Sequence, residues 1–304
     1  MEDPDSSGPG SDERPVCVLA VSVKRTAAPA RPAPAPERRA AFRALLSEGS
    51  VRSCEEARAL SEDAIFDDVD RAEALLRLGA CRLELGKLGN AVSLLTSAEA
   101  LAERTHAVRI RAHALEQRSR CHLRLRDSEA AGVDADLAVE LARSLGDARL
   151  EALVTLQRAL VAERAGEGDL VRSHAGRARD LAAEAGDRRT EGRAVTSLAR
   201  VHLRSGAAAL AEEQARHALT LLDERAERGN AHLVLARALL EQERDDEAEG
   251  ELDAADLLFA LLGSASHIAA AWVVRGDACC RRGDFKRAAT LYRRAAARLQ
   301  DFHF

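Results

Sequence analysis

The sequence has few aromatic residues and, after residue 36, no proline. Aromatic side chains make up 3% of the 304 residues, with one tryptophan and one tyrosine. A core built around large rings is therefore excluded, and the chain lacks the aromatic platforms on which nucleic-acid bases stack. All seven prolines lie between Pro4 and Pro36. Because proline removes a backbone donor and breaks helices, its absence from the remaining residues permits long, uninterrupted helices.

Neither sign of charge dominates the sequence. It contains 45 Lys and Arg against 50 Asp and Glu, for a net charge of −5. This balance gives no bulk attraction to a polyanion, so we expect no nucleic-acid partner. No uncharged apolar run approaches the roughly 18 residues of a transmembrane helix, and the acidic N-terminus is unlike a secretory signal. We therefore expect a soluble, cytoplasmic protein without a membrane partner, and the excess of arginine over lysine is typical of a GC-rich bacterial genome.

Motifs that carry catalysis or bind metals are also missing. The sequence contains no HExxH, no nucleophile elbow, no phosphate-binding glycine loop and no metal-spaced set of Cys and His. Its six cysteines form no CxxC pair, and we expect free, buried thiols, with Cys81 and Cys121 at the same repeat position. The sequence therefore predicts no enzyme activity, no metal and no cofactor.

What the sequence does contain is a repeated unit of two helices. Residues 184–219 hold apolar side chains at helical spacing on both sides of Gly206. Turn positions recur at steps of 40 residues, with one shorter step, and this fixed period is typical of a stacked helical array. The turn positions are Gly86, Arg126, Gly166, Gly206, Glu243 and Gly283. Small residues follow five positions later, at Ala91, Ala131, Val171, Ala211, Ala248 and Ala288, and again at Ala98, Ala138, Ala178, Ala218, Ala255 and Ala295.

The period divides the chain into two parts. Residues 1–37 collect the prolines, and we expect them to form a disordered or extended arm. The apolar run Val16–Val23 inside this arm is either a docking strand or an artefact of an upstream start codon. Residues 38–304 are predicted to form seven helical hairpins, which begin near residues 38, 72, 112, 152, 192, 229 and 269.

Local signals predict where several of these helices begin and end. Ser53 and Glu56 have capping-box spacing and are expected to open the second helix of the first hairpin. Glycine followed by Asp or Asn is expected to connect hairpins at Gly146-Asp147, Gly186-Asp187 and Gly229-Asn230. The run from Gly166 to Asp169 leaves the turn of the fourth hairpin ambiguous by two residues.

The pattern resembles the tetratricopeptide repeat (TPR) family. The last hairpin carries the consensus landmarks Trp272, Gly276, Gly283-Asp284-Phe285, Ala288, Tyr292 and Ala295. The resemblance covers residues 38–304 and implies an all-α fold, a right-handed α-solenoid of about seven TPR-like hairpins. Its 40-residue period is similar to that of adaptor proteins and of the sensory arms of bacterial regulators. Where the family has a packing leucine, this chain has Arg118, Arg158 and Arg275, which we expect to weaken those hairpins.

The resemblance also implies a concave groove lined by the first helix of each hairpin. An arginine stripe is expected there, comprising Arg120, Arg124, Arg164, Arg200, Arg204, Arg237 and Arg281. Guanidinium groups favour an acidic peptide or a free carboxylate, although the Lys and Asn clamp of chaperone-binding members is missing. Alternatively, these are solvated arginines, some of them paired with glutamates on adjacent helices.

The sequence thus favours a non-catalytic scaffold whose groove binds another protein or a peptide. The alternative is a sensory or regulatory subunit of a bacterial transcription or signalling system, which would bind a small ligand or a signalling peptide. A third interpretation is a homo-oligomer that forms through the acidic block Glu241–Asp256 and the basic last hairpin. Alternatively, the acidic block and the basic last hairpin form a solvated surface with local ion pairs.

Overall fold

A computed structural model describes residues 35–300 of the chain, and this range contains fourteen helices and no strand. The first seven are α1 (Ala35–Glu48), α2 (Val51–Leu60), α3 (Asp68–Glu84), α4 (Leu88–Arg104), α5 (Val108–Arg124), α6 (Ser128–Leu145) and α7 (Ala148–Ala165). The others are α8 (Gly168–Glu184), α9 (Arg188–Arg204), α10 (Ala208–Leu221), α11 (Arg225–Glu241), α12 (Asp245–Leu262), α13 (Ala265–Arg281) and α14 (Phe285–Gln300). Consecutive helices pair as seven hairpins, which confirms the predicted α-solenoid.

The predicted arm lies outside the described residues, apart from its last three positions, which begin α1. The apolar run Val16–Val23 is also outside this range. From the second hairpin onward, the first helix of each hairpin begins four residues before its predicted start. For example, α3 begins at Asp68, whereas the predicted start was near Ala72.

The turn inside a hairpin requires a left-handed residue. The φ angle is 73° at Gly86 and 77° at Gly206, where the missing Cβ removes the usual steric cost. Arg126 and Glu243 adopt the same conformation at the equivalent positions, with φ angles of 64° and 60°. Gly166 has a φ of 79° and ends α7, which settles the predicted ambiguity in favour of the earlier glycine.

Two of the predicted boundary signals were wrong. Ser53 lies inside α2, and its backbone N–H donates to the Oγ of Ser50, which is the true N-cap. Gly229 lies inside α11, and the connector before that helix runs from Leu222 to Glu224 without glycine. The other two predicted connectors are confirmed, because the Asp147 and Asp187 side chains accept backbone N–H groups at the starts of α7 and α9.

Small side chains let the helices approach closely. Every predicted small position, from Ala91 to Ala295, is buried. Glycines serve the same purpose where larger residues pack against a helix. A Cβ atom at Gly229 would lie 2.3 Å from Cε1 of Phe259, and one at Gly192 would lie 2.7 Å from Leu222. The recurring small residues therefore mark the helix crossings that hold the array together.

The three arginines at packing-leucine positions each bind carboxylates on a neighbouring second helix. Arg118 on α5 forms a bidentate pair with Asp134 on α6, with N–O distances of 2.8 and 2.7 Å. Arg158 lies 2.6 Å from Asp136. Arg275 on α13 contacts the acidic block of α12, with Asp253 at 2.8 Å. The acidic block and the basic last hairpin are thus neighbours that bind one another.

The described thiols show one contact that the sequence did not predict. Cys121 is buried and Cys81 is partly exposed, and all described cysteines are free. The Sγ atoms of Cys54 and Cys81 lie 3.5 Å apart between α2 and α3. Burial raises the pKa of the Cys54 thiol to about 11, so it is protonated at neutral pH.

Candidate functional site

The first helices of the hairpins line the inner side of the curved array. Successive first helices, such as α9 and α11, pack directly against one another, whereas successive second helices make no comparable contact within residues 35–300. The spacing between first helices is therefore the shorter one. Because the first helices are more closely spaced than the second helices, the stack curves toward the first helices. The first helices therefore lie on the concave face.

All seven predicted arginines lie near the C-terminal ends of first helices. Arg120 and Arg124 are on α5, Arg164 is on α7, Arg200 and Arg204 are on α9, Arg237 is on α11 and Arg281 is on α13. The structure brings four of them together around one cleft, which we call the arginine cleft. These four are Arg200, Arg204, Arg237 and Arg281.

The arginine cleft has a volume of about 300 Å³. Its apolar lining comes from Leu203, Val234, Leu240 and Val274, on α9, α11 and α13. Three carboxylates join the arginines around it, from Glu163, Glu241 and Asp277. The cleft therefore presents apolar surface beside charged groups, the combination that ligand pockets use to gain affinity and fix orientation.

Two of the cleft arginines share one glutamate. Arg200 forms a bidentate pair with Glu163 on α7, with N–O distances of 2.7 and 2.9 Å. Arg204 lies 3.3 Å from the same carboxylate. A third cleft arginine, Arg281, lies 3.0 Å from Glu241 on α11. Each of these pairs joins one first helix to the preceding first helix.

Another pair of this kind lies outside the cleft. Arg120 Nη2 is 2.8 Å from Glu84 on α3, and Arg124 Nη2 is 3.9 Å from the same glutamate. Arg124 also donates to the carbonyl of Leu83, at 2.7 Å. Five of the seven predicted arginines are thus paired with acids on adjacent helices, as the alternative interpretation anticipated for some of them.

The sequence pattern did not predict these glutamates as groove residues. Glu84 and Glu241 occupy the repeat position that holds Arg124, Arg204 and Arg281 in other hairpins. Aligning this position across the repeats would have shown that acids and arginines share it. Glu163 lies one position earlier in its hairpin, and only the structure shows that its side chain reaches α9.

A second, smaller recess lies further along the concave face. It has a volume of about 160 Å³ and is lined by α7, α9 and α11 side chains that include Arg193, Ser197 and Asn230. Nearby, Glu116 is buried on α5 and accepts a hydrogen bond from Gln117 at 2.7 Å. Burial raises the pKa of Glu116, so its neutral form is favoured.

Two histidines occupy the same repeat position in the third and fifth hairpins. His122 and His202 are both half-buried. His122 Nε2 is 3.8 Å from Asp134, and burial lowers the pKa of His202. Neither histidine lines the arginine cleft.

Further features of the described residues limit the chemistry available. No cluster of three or more His, Cys, Asp and Glu side chains in residues 35–300 could hold a metal ion. In the same range, no helix combines the length and apolarity needed to cross a bilayer. Within the same range, the arginine cleft combines paired charges with an apolar floor.

These features define the class of protein: a helical repeat solenoid with a concave groove. No protein-family model and no curated protein sequence matches the chain. Solved structures do match it, and they show that the chain has the fold of TPR proteins. A tetratricopeptide repeat protein from Parabacteroides merdae is 17% identical, with a TM-score of 0.57 over 86% of this chain and 92% of the other.

Two further matches are a Rap protein and a quorum sensor. A Rap protein, in complex with competence and sporulation factor, is 16% identical, with a TM-score of 0.65 over 83% of this chain and 70% of that one. The quorum sensor NprR from B. thuringiensis is 12% identical, with a TM-score of 0.59 over 87% of both chains. At these identities the similarity establishes the fold alone.

Proposed function

We propose that the protein is a non-catalytic scaffold whose concave face binds a peptide segment of another protein. The observation that carries this proposal is the arginine cleft, where four arginines surround an apolar floor on three successive first helices. Extended peptides combine apolar side chains with backbone and carboxylate acceptors, and such a surface can satisfy both. The similar Rap structure, which holds a bound factor, supports this use of the fold.

The arginines of the cleft support a partner of acidic character. The exposed Arg204, Arg237 and Arg281 can each present N–H donors to a ligand carboxylate. Arg204 and Arg281 already have glutamate partners, so a ligand carboxylate would compete with Glu163 and Glu241. We therefore expect binding to weaken with added salt, as for other partly exposed charge pairs.

A charge-reversal experiment tests this proposal. Peptides are selected on the full-length protein from a phage-displayed random library, and their affinities are measured by titration calorimetry. Replacing Arg204, Arg237 and Arg281 with Glu is expected to weaken binding at least about tenfold, because three charge-assisted contacts become repulsive.

The matched control reverses three exposed arginines of α14, Arg287, Arg293 and Arg294, for which the described residues supply no ion pair. It changes the net charge by the same amount, and we expect it to leave the affinity unchanged. Equal losses in both variants would indicate bulk charge, and a loss in the α14 variant alone would place the site elsewhere. Either result would contradict the proposal.

A second candidate function is a sensor whose curvature responds to a ligand. The Glu84, Glu163 and Glu241 pairs join successive first helices across the groove. A ligand that displaced them would alter the spacing of those helices. Small-angle scattering with and without a selected peptide tests this function, and an unchanged radius of gyration at saturation would rule against it.

A further inference from the structure

Two cysteines meet at the junction between the first and second hairpins. The turns of these hairpins lie at Gly49 and Gly86, which both have positive φ angles. Cys54 follows the first turn by five residues, and Cys81 precedes the second turn by five residues. The Sγ atoms of Cys54, on α2, and Cys81, on α3, lie 3.5 Å apart. The two sulfur atoms are therefore already in contact, without the unfolding of either helix.

The same two positions pack together at later junctions, where at most one of them is a cysteine. Each of these pairs lies in one buried cluster, and the pairs are Ala91 with Cys121, Ala131 with Val161, Val171 with Val201 and Ala248 with Ala278. The close approach of Cys54 and Cys81 is thus a regular feature of the array. The first junction differs from these later ones because a thiol lies on both sides of it.

Cys81 is the member of the pair that a small solute can reach. Its side chain is partly exposed, whereas Cys54 is fully buried. Cys121 has the same repeat position as Cys81 but is also fully buried. The difference follows from the packing of the first helices, because α3 packs against α5, whereas α1 makes no comparable contact with α3 within residues 35–300.

The surroundings of the pair assign different roles to the two thiols. The Cys81 thiol donates to the backbone carbonyl of Gly49, with the sulfur 3.3 Å from the oxygen, and this contact holds it beside Cys54. Burial raises the pKa of the Cys54 thiol to about 11, so Cys54 stays protonated and Cys81 is the thiol that meets an oxidant first. The guanidinium of Arg77, four residues before Cys81 on α3, opposes this increase in pKa and so favours negative charge at the pair.

We propose that Cys54 and Cys81 form a modification site at which a hydroperoxide converts the two thiols reversibly into a disulfide. In the first step the Cys81 sulfur forms a bond to one peroxide oxygen, the O–O bond breaks, and the thiol proton leaves with the displaced oxygen as an alcohol, or as water when the oxidant is hydrogen peroxide. Cys81 is then a sulfenic acid. In the second step the Cys54 sulfur forms the S–S bond, the S–O bond breaks, and hydroxide leaves with the Cys54 proton as water. The two sulfur atoms thus lose two electrons, which reduce the peroxide.

The disulfide ties the end of the array to the next hairpin. The hairpin of α1 and α2 has a neighbour on one side only, so we expect it to open more readily than the interior hairpins. A covalent bond between α2 and α3 opposes this opening. The arginine cleft is lined by α7, α9, α11 and α13, so the effect does not depend on the proposed function.

Peptide mapping after oxidation tests the site. The reduced full-length protein is treated with hydrogen peroxide, the remaining thiols are blocked with N-ethylmaleimide at a series of times, and mass spectrometry follows each cysteine. We expect a linked Cys54–Cys81 peptide, which dithiothreitol reverses. The Cys81 thiol should be consumed at least about tenfold faster than the Cys121 thiol, because oxidation of a cysteine follows its exposure.

Three alanine variants separate the roles of the thiols, and alanine already occupies both repeat positions elsewhere, as at Ala91 and Ala278. Cys54→Ala should form no disulfide and should leave Cys81 as a sulfenic acid, which dimedone traps. Cys81→Ala should leave Cys54 reduced. Cys121→Ala is the matched control, since it removes the thiol at the repeat position of Cys81 but keeps the pair, and it should form the linked peptide at the wild-type rate.

Hydrogen exchange measures the effect on the hairpin. In the oxidised protein the backbone amides of α2 should exchange about tenfold more slowly than in the reduced protein, while those of α11 should be unchanged. Four results would overturn the proposal: no linked Cys54–Cys81 peptide, a disulfide from Cys81 to a different cysteine, consumption of Cys121 as fast as Cys81, or unchanged exchange of α2 after oxidation.

Discussion

At the scale of single residues, the backbone conformation of two turns conflicts with the side chains they carry. Arg126 and Glu243 hold φ angles of 64° and 60° at the position that is glycine in other hairpins. Side chains other than glycine are disfavoured in this left-handed region by about 1–2 kcal/mol. Both residues are exposed, so nothing in the interior repays this cost.

Arg126→Gly and Glu243→Gly are therefore expected to stabilise the protein by about 0.5–1 kcal/mol each, since the relief of strain exceeds the entropy that glycine adds to the unfolded chain. Urea unfolding followed by circular dichroism measures this change. Gly206→Ala is the reverse control and should destabilise the protein. A lower free energy of unfolding in both Arg126→Gly and Glu243→Gly would contradict the assignment of these residues to left-handed turn positions.

Arg118 illustrates how a charged residue replaces a packing leucine. Its guanidinium forms two hydrogen bonds with Asp134, and the side chains are 16% and 8% exposed. Breaking such a pair from one side leaves a desolvated charge and costs about 3 kcal/mol. We therefore expect Arg118→Leu to destabilise the protein by about this amount in urea unfolding.

The double variant Arg118→Leu with Asp134→Leu should recover most of the loss, because it removes both charges and fills the space with apolar atoms. If the double variant is as unstable as Arg118→Leu, the Arg118–Asp134 pair stabilises the fold by more than the mutual neutralisation of its two charges. In that case the leucine of the family consensus could not simply be restored here.

The residue patterns predicted the helical array correctly, but they did not predict which charged side chains pair with one another. Turn glycines and small residues recur because backbone conformation and helix crossings leave few alternatives, so Gly206, Ala211 and Ala218 were informative from the sequence. The partners of Arg200 and Arg281 depend instead on how far long side chains reach between hairpins. That distance is set by the curvature of the whole stack, which local spacing does not encode.

At the scale of helices, Gly229 shows why one connector was misassigned. Its Gly-Asn pair has the composition of a connector, but it lies 37 residues after Gly192 and occupies the same repeat position. Both glycines are helical and meet a large side chain from the end of the next helix, Phe259 and Leu222 respectively. The 37-residue step of the repeat therefore aligns Gly229 with the helical Gly192, whereas the Gly-Asn dipeptide taken alone indicates a connector.

Gly229→Ala is expected to destabilise the protein by about 1–3 kcal/mol, because the new methyl group would overlap the ring of Phe259. Thermal unfolding of the variant measures the loss, which should shrink in a Phe259→Leu background. Gly250→Ala is the matched control: no atom lies within 4 Å of its Cβ position on α12. This control should gain about 0.5–1 kcal/mol from helix propensity, and equal losses at both glycines would contradict the crossing.

Ion pairs also tie the N-terminal ends of successive first helices. Arg109 and Arg149 reach the N-cap residues Asp147 and Asp187 of the following hairpins, at 2.5 and 3.9 Å. Hydrogen bonds from the backbone N–H of Leu150, together with the Arg109 guanidinium, lower the pKa of Asp147. Because the folded-state pKa is depressed, this carboxylate stabilises the fold above its unfolded pKa, and the contribution is lost as the pH falls through the folded value.

Asp147→Asn should therefore be less stable than wild type at pH 7, since the amide can still cap α7 but cannot pair with Arg109. The difference should decline below about pH 4, where the unfolded carboxyl becomes protonated. Urea unfolding at a series of pH values measures it. A difference that stays constant down to pH 2 would show that the charge of Asp147 is not its cause.

At the scale of the whole molecule, the glutamate–arginine pairs of the groove alternate along the array. They join α3 to α5, α7 to α9 and α11 to α13 near the C-terminal ends of these helices. Within the described residues, no such pair joins α5 to α7 or α9 to α11 at this end. The arginine cleft, with Arg237 on α11, spans the second of these open steps.

Photo-crosslinking tests the central claim, that the concave face of first helices is the binding surface, most directly. A library-selected peptide carrying a benzophenone group is irradiated in complex with the full-length protein, and mass spectrometry locates the adducts. The account predicts adducts on α9, α11 and α13, around the arginine cleft. Adducts confined to second helices, such as α10 and α12, would contradict it.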